Sequence, residues 1–269
     1  MLTLEKRQLV EHFTKKLKIE KNAMLWVHVG IKSIGVVKDL KVITKAFKKI
    51  LVHGTLIIPA FSYSWCKNER FIKNKSMCQS MGSYSKSLIK DKSFKRTNHP
   101  NFSVFIMDNS KIIKNGSFLK NINNNTCFGK NSIFDLLYKN SKFQPSYVVL
   151  LGGAHDDVVF RTTFIHYVEQ FIGVQYRYLK KFFNSNKTNF TSQYVRYFSN
   201  EDYININHKK PPYPFPVKEK YKKLGIDLKK KKLLKNCKLN YSLTRVVKLR
   251  EFIDYLKTKL KKDKKYLLK

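Results

Sequence analysis

The sequence is poor in acid, in arginine and in the short motifs that announce common chemistries. Eighteen Asp and Glu stand against 55 Lys and Arg in 269 residues, a formal charge of +37, and no carboxylate-rich metal cluster is present. The four cysteines, at 66, 78, 127 and 237, form no CxxC pair, which excludes a zinc ribbon and a redox dithiol. They read as reduced thiols packed as small hydrophobes, since none has a local partner to activate it. The ten glycines make neither the GxGxxG of a dinucleotide fold nor the GxxxxGK(S/T) of a phosphate loop, so NAD(P) and ATP or GTP find no support. Seven histidines at 12, 28, 53, 99, 155, 166 and 208 are dispersed without zinc spacing. There is no HExxH and no GxSxG, so zinc-protease and serine-hydrolase readings fall away and no metal is expected. No apolar run approaches the roughly 18 residues of a membrane span. The charged, amphipathic start MLTLEKRQLVEHFTKK lacks the apolar centre of a signal peptide, so a soluble, cytoplasmic protein is expected.

The shortage of arginine qualifies the charge. Only eight of the 55 basic residues are Arg, and the Lys excess is accompanied by abundant Asn, Ile, Phe and Tyr, all residues with AT-rich codons. A chain selected to read bases is expected to favour the planar guanidinium fork over the point charge of Lys. The excess therefore reads first as base composition, and no specific nucleic-acid partner is expected. A basic module that binds nucleic acid or an anionic surface is the alternative of a different class. The runs at 229–232 and 256–269 read as solvated helix faces.

What is present supports a folded core: 42% of residues are apolar and 14% aromatic, too many for a disordered polybasic chain. The pattern predicts one α/β domain over 1–269, a three-layer α/β/α arrangement around a mixed, largely parallel sheet, with a basic helical portion at 205–269. Leu4, Leu9, Val10, Phe13 and Leu17 fall near helical spacing with Thr3 as N-cap. AMLWVHV at 23–29 reads as a buried strand, followed by a Gly-containing turn to Gly35, a helix carrying Val37, Leu40, Ile43, Phe47 and Ile50, and a second strand at 55–58. That is a parallel βαβ unit. Residues 61–101 read as long loops with a helix at 83–91. Further strands are expected at 103–107, 147–151, 176–182 and 193–198, and helices at 132–138, 162–171, 217–224 and 247–261. A Pro-rich connection lies at 208–220.

Three local groups can carry chemistry. His166 and Glu169 are i and i+3 on the helix at 162–171, so the carboxylate can orient or charge-stabilise the imidazole as in a general base; a surface His beside a surface Glu has the same spacing. Their place just beyond an apolar strand, at whose carboxyl end α/β sheets gather ligands, favours the functional reading. His28 ends an apolar strand and is either a core histidine or a ligand. The turn Gly30–Lys32–Ser33–Gly35 after it opens a helix whose N–H groups favour a phosphate. His99 and Ser103 flank Pro100, which holds them near a common pocket or forms an ordinary turn before a strand.

Taken in order, these groups resemble the aminoglycoside 3-N-acetyltransferase family, the antibiotic acetyltransferases that are unrelated to GNAT enzymes. The resemblance is carried by Val27-His28 with Lys32-Ser33-Ile34-Gly35, by Gly54-Thr55-Leu56-Ile57-Ile58-Pro59-Ala60-Phe61-Ser62, and by Met81-Gly82. It continues through Arg96-Thr97-Asn98-His99-Pro100-Asn101-Phe102-Ser103-Val104, Phe128-Gly129-Lys130-Asn131-Ser132-Ile133-Phe134 and Thr163-Phe164-Ile165-His166-Tyr167-Val168-Glu169. The motifs cover about 25–170, and the remainder to about 262 is similar to the family's C-terminal portion.

The resemblance implies acetyl transfer from acetyl-CoA to a sugar amine by direct attack, with His166 as general base and Glu169 as its partner. It assigns Lys32, Ser33, Gly35 and Ser103 to CoA. His28, Phe61, His99 and Thr163 are assigned to the substrate or to the oxygen that gains charge. Two departures remove hydroxyls: Val29-Gly30 stand where the family commonly has Ser-Ser, and Ala60 where it often has Thr. Because a polycationic drug is repelled by a chain at +37, and because several motifs look closest to the branch found with surface-polysaccharide genes, a nucleotide- or lipid-linked amino sugar is the expected acceptor. Aminoglycoside resistance is the alternative. The oligomeric state is open.

Overall fold

A computed structural model of the chain describes residues 3–109, 121–153, 158–196 and 219–268. Strands β1 (Met24–Gly30), β2 (Thr55–Pro59) and β5 (Ser146–Gly152) run parallel at the centre of a seven-stranded sheet of order β3-β4-β2-β1-β5-β9-β8. On one side β4 (Val104–Asp108) and β3 (Lys95–Arg96), and on the other β9 (Ser242–Lys248) and β8 (Lys235–Leu239), attach by antiparallel pairing. The expected mixed sheet is found, with its parallel part confined to the three middle strands.

The side-chain period of two sorts the central strands between two cores. Met24 and Trp26 of β1, Ile57 of β2 and Val148 of β5 face one core, which they share with α5 (Ile133–Asn140), α6 (Phe164–Ile172), α7 (Tyr221–Lys230) and α8 (Leu249–Lys262). Leu25, Val27, Leu56, Ile58 and Val149 face the other, covered by α1 (Lys6–Glu11) and α3 (Lys41–Ile50). Helix α3 buries Ile43, Ala46, Phe47 and Ile50, the i, i+3, i+4, i+7 stripe expected of a helix laid on a sheet. Helices on both faces make the predicted three layers. The abundant aromatics occupy the first core: Trp26 packs on Phe134 at 5.2 Å and Phe164 at 5.1 Å, and Phe102 on Phe61 and Phe128 at 4.9 Å each. No helix among the described residues is long and apolar enough to cross a membrane.

Several local expectations are corrected. Glu5, not Thr3, is the N-cap of α1, with its N–H donating to Gln8 Oε1 at 2.9 Å; Thr3 instead forms a bridge with Val36. The helix continues past Glu11 as a π-helical segment, His12–Lys16. The turn after β1 is itself a one-turn helix, α2 (Ile31–Ile34). The portion at 205–269 is not purely helical, because its described part also supplies β8 and β9, and β9 lies directly against β5. The Pro-rich stretch at 208–218 lies outside the described residues. A second, two-stranded sheet pairs β6 (Arg177–Phe183) with β7 (Phe190–Arg196).

Helix α7 is tied to the core by Gly225, where an added Cβ would lie 1.4 Å from the Val158 carbonyl oxygen. Backbone cannot yield as a side-chain tip can, so Gly225→Ala is expected to cost about 3 kcal/mol, seen as a Tm lower by roughly 5–10 °C in thermal unfolding.

Candidate active site

Helix α6 brings the sequence-predicted pair together. It is closed at its C-terminus by Gly173 in the left-handed region, φ +68°, whose N–H donates to the Glu169 and Gln170 carbonyls, as a C-terminal glycine does. His166 and Glu169 share one face, and His166 Nδ1 lies 2.8 Å from Glu169 Oε2. The carboxylate accepts, so Nδ1 carries the proton and Nε2 is left as the ring's proton acceptor. Phe128 lies against the imidazole with ring centroids 6.1 Å apart.

Glu169 is fully buried, and a buried carboxylate needs compensation. Two hydrogen bonds and one ion pair supply it. Besides His166, the Tyr176 hydroxyl donates to Oε1 at 3.0 Å, and Arg177 Nε lies 2.7 Å from Oε2. Arg177 turns its other edge to Glu219, whose Oε2 accepts from Arg196 Nη1 at 2.8 Å. His166 therefore stands at the end of a chain of two carboxylates and two guanidiniums that is buried in its middle and reaches solvent at its two ends, the imidazole at 21% side-chain exposure and Arg196 at 18%. Burial, reinforced by the Arg177 guanidinium, holds the His166 imidazole well below its usual pKa. Burial pushes the Glu169 carboxyl up, against the pull of Arg177 and the Tyr176 hydrogen bond. The result is a neutral imidazole at pH 7 with Nδ1 committed to Glu169, which is the state required of a proton acceptor.

The His166, Glu169 and Glu219 donor atoms lie within 4.8 Å of one another, close enough to hold a metal ion. Arg177 already bridges the two carboxylates and supplies the positive charge a cation would bring, so the set does not fit a metal centre.

A cleft of about 350 Å³ opens at the carboxyl ends of β1, β2 and β5, lined by His28, Gly30, Pro59, Met81, Gly82, Gly152, Gly153, Arg161 and Arg245. Its floor is backbone: a Cβ on Gly30 would meet the Gly153 nitrogen at 2.6 Å. His28 Nε2 accepts from Trp26 Nε1 at 2.8 Å, and burial lowers its pKa to about 4, so it lines the cleft as a neutral ring with its proton on Nδ1. Arg245 spans the strand ends, donating to the Gly152 carbonyl at 3.0 Å and the Val159 carbonyl at 3.1 Å.

The other predicted residues divide. Thr163 is the N-cap of α6 and makes no capping hydrogen bond with its side chain, which leaves the hydroxyl at the end of the helix that bears His166. Lys32 is exposed on α2. The Ser33 hydroxyl donates to the Gly30 carbonyl at 2.8 Å and accepts from Gly153 N at 2.7 Å, pinning the turn to the end of β5, and Gly35 ends α2 at φ +119°. Phe61 is buried in the aromatic core. Ser103 and His99 are corrections. Ser103 is fully buried, donating to the Ala60 carbonyl and accepting from Arg96, so it braces the loop after β2 and does not face a cofactor. His99, 3% exposed, accepts at Nδ1 from Asn101 N and Phe102 N and meets Thr191 Oγ1 through Nε2. It is a core histidine, pushed down to about pKa 3 by burial.

Sequence reasoning missed Tyr176, Arg177, Arg196, Glu219, Arg161 and Arg245. A signal existed in the scarcity of Arg. Four of the eight arginines gather here, where forked geometry matters and Lys cannot substitute. Arg177 and Arg196 also face each other directly across the β6–β7 pairing, a like-charge pair that is destabilising unless an anion lies between.

A family model described as aminoglycoside 3-N-acetyltransferase matches residues 26–261. Among solved structures, the aminoglycoside acetyltransferase AAC(3)-IVa in complex with apramycin is similar at 18% identity and TM-score 0.70, over 100% of this chain and 96% of that one. The YokD protein from Bacillus subtilis is similar at 19% identity and TM-score 0.72, over 98% and 96%. A binary complex of AAC-IIIb with CoASH is similar at 14% identity and TM-score 0.68, over 97% of each. No curated protein sequence matches.

Proposed function

From the premise that the chain belongs to the aminoglycoside 3-N-acetyltransferase family, and is thus an N-acetyltransferase, we propose that it transfers the acetyl group of acetyl-CoA to a primary amine of an amino sugar with His166 as general base. The observation that carries this reading is the His166–Glu169–Arg177 chain, in which Nδ1 is committed to Glu169 and Nε2 is left to receive a proton. An amine must lose a proton to become nucleophilic, and a neutral imidazole accepts it near pH 7. Glu169 holds the ring in one tautomer and stabilises the imidazolium that forms.

Acetyl-CoA supplies the activated acetyl group. The cleft suits it in kind, since glycine backbones allow close approach of a narrow chain and the exposed Arg161 at its edge supplies positive charge for phosphates. The Thr163 hydroxyl and the N–H groups opening α6 are the candidate donors to the oxygen that gains charge.

The relatives support an aminoglycoside as acceptor, because one of them holds apramycin, and they offer no support for a surface-polysaccharide precursor. A second reading, an amino sugar bearing phosphate, is favoured by the exposed Arg161 guanidinium lining the cleft and the charge of +37. Steady-state release of CoA thiol with a panel of aminoglycosides and nucleotide-linked amino sugars separates them. Turnover is expected with at least one aminoglycoside; turnover only with phosphate-bearing sugars selects the second reading, and none with any amine overturns both.

A further inference from the structure

Arg96, on the edge strand β3, is a buried cation without an anion. It is 7% exposed, and its N–H groups meet only neutral oxygens. Nε donates to Ser103 Oγ at 3.1 Å, Nη2 to the Ala60 and Ser76 carbonyls at 2.7 and 2.6 Å, and Nη1 to the Lys73 carbonyl. These acceptors orient the fork and leave its charge in place. A guanidinium carries five N–H donors, so one proton of Nη1 has no acceptor among the described residues, and no carboxylate among them pairs with the group. Arg177, by contrast, lies between two carboxylates. Burial alone acts on the Arg96 pKa, lowering it to about 10, so the group stays charged at pH 7. A buried charge of this kind is costly until a counter-charge reaches it.

A cavity of about 420 Å³ opens beside this residue, within the range of small-molecule sites. It shares no residue with the cleft that His28 lines. Lys73 and Lys95 join Arg96 in its cationic lining, Leu88 and Phe94 are part of its apolar lining, and none of the described residues around it is acidic. Asn124 adds a buried Oδ1 that no donor reaches. Buried polar groups are normally paired, so an uncompensated cation and an orphaned acceptor in one cavity call for a ligand that brings both an anion and an N–H donor.

We propose that this cavity is a binding site for a nucleoside monophosphate. Its phosphate is held by Arg96, Lys73 and Lys95 through charge-assisted hydrogen bonds. Its base lies on Leu88 and Phe94, and the amino group of the base donates to Asn124 Oδ1. A sugar phosphate without a base satisfies the cations and leaves both the apolar lining and Asn124 unused.

Calorimetric titration of the full-length protein with adenosine 5′-monophosphate tests this. One site per chain is expected, unchanged with excess CoA present, and adenosine and ribose 5-phosphate should each bind at least tenfold more weakly. Lys73→Gln with Lys95→Gln should weaken the nucleotide about tenfold or more, and Asn124→Leu about fivefold. The charge-matched pair Lys261→Gln with Lys262→Gln, both exposed on α8, should leave it unchanged. Arg96→Lys should also weaken binding; if that variant unfolds, the lysine and Asn124 variants decide. The proposal is overturned by no saturable binding, by displacement with CoA, by adenosine or ribose 5-phosphate binding as well as the nucleotide, by unchanged affinity in the lysine and Asn124 variants, or by an equal loss in the α8 variant. Because binding is read directly, this outcome is separate from that for acetyl transfer.

Discussion

His166→Ala is expected to lower kcat for acetyl transfer by about a thousandfold, within the range for loss of a general base, while leaving the fold intact. The side chain reaches solvent and packs on Phe128 with ring centroids 6.1 Å apart, so truncation removes little of the core. The wild-type pH profile gives the companion result. Because burial and Arg177 hold the imidazole well below its usual pKa, the base remains unprotonated to lower pH than a free histidine, and the acid limb of kcat should fall below pH 6.5. That limb should be absent from the residual rate of His166→Ala. Unchanged turnover in the variant would remove His166 from the mechanism, and an acid limb above pH 6.5 would show that its environment is not the one described.

Arg177→Met should damage both stability and turnover. Removing the guanidinium leaves two carboxylates with fully buried side chains, Glu169 and Glu219, whose oxygens lie within 4.8 Å of each other. Breaking a buried pair from one side costs about 3–5 kcal/mol, since the remaining charge is stranded. Glu219 keeps its pair with Arg196 at 2.8 Å, so Glu169 is the stranded carboxyl. As it takes up a proton, the group that fixes His166 Nδ1 loses its charge and kcat falls. Arg177 normally pulls the Glu169 pKa down; without it that pKa rises, and the variant should regain activity as pH increases. Arg177→Lys keeps a charge but loses the fork and should fall between the two. Urea unfolding with a kcat–pH profile checks this, and loss of stability with an unchanged profile would make Arg177 a purely structural residue.

What could be read in the sequence was local. The βαβ unit was legible because AMLWVHV and the stripe from Ile43 to Ile50 state their periods within a dozen residues. His166 and Glu169 were legible because they sit one turn apart. The β8–β9 hairpin was not, because β8 is an edge strand with exposed or half-buried Lys235, Asn236, Cys237 and Lys238 and shows no apolar alternation. Arg177 and Glu219 were hidden by their separation of 42 positions in the sequence. Ser103 and His99 misled because a motif reports which residues stand together, while their burial depends on what Arg96 and Thr191 do from elsewhere.

The burial of the His166–Glu169–Arg177–Glu219–Arg196 chain divides what ionic strength can reach from what it cannot. Counter-ions screen exposed charges over about 8 Å at physiological salt and act far less on buried pairs. The surface lysines, which dominate the field that draws in an anionic donor, lie open to that screening. The two carboxylates and two guanidiniums behind His166 have side chains at most 18% exposed. Salt therefore governs how often an anionic donor arrives, while the proton affinity of the His166 imidazole is fixed by the interior.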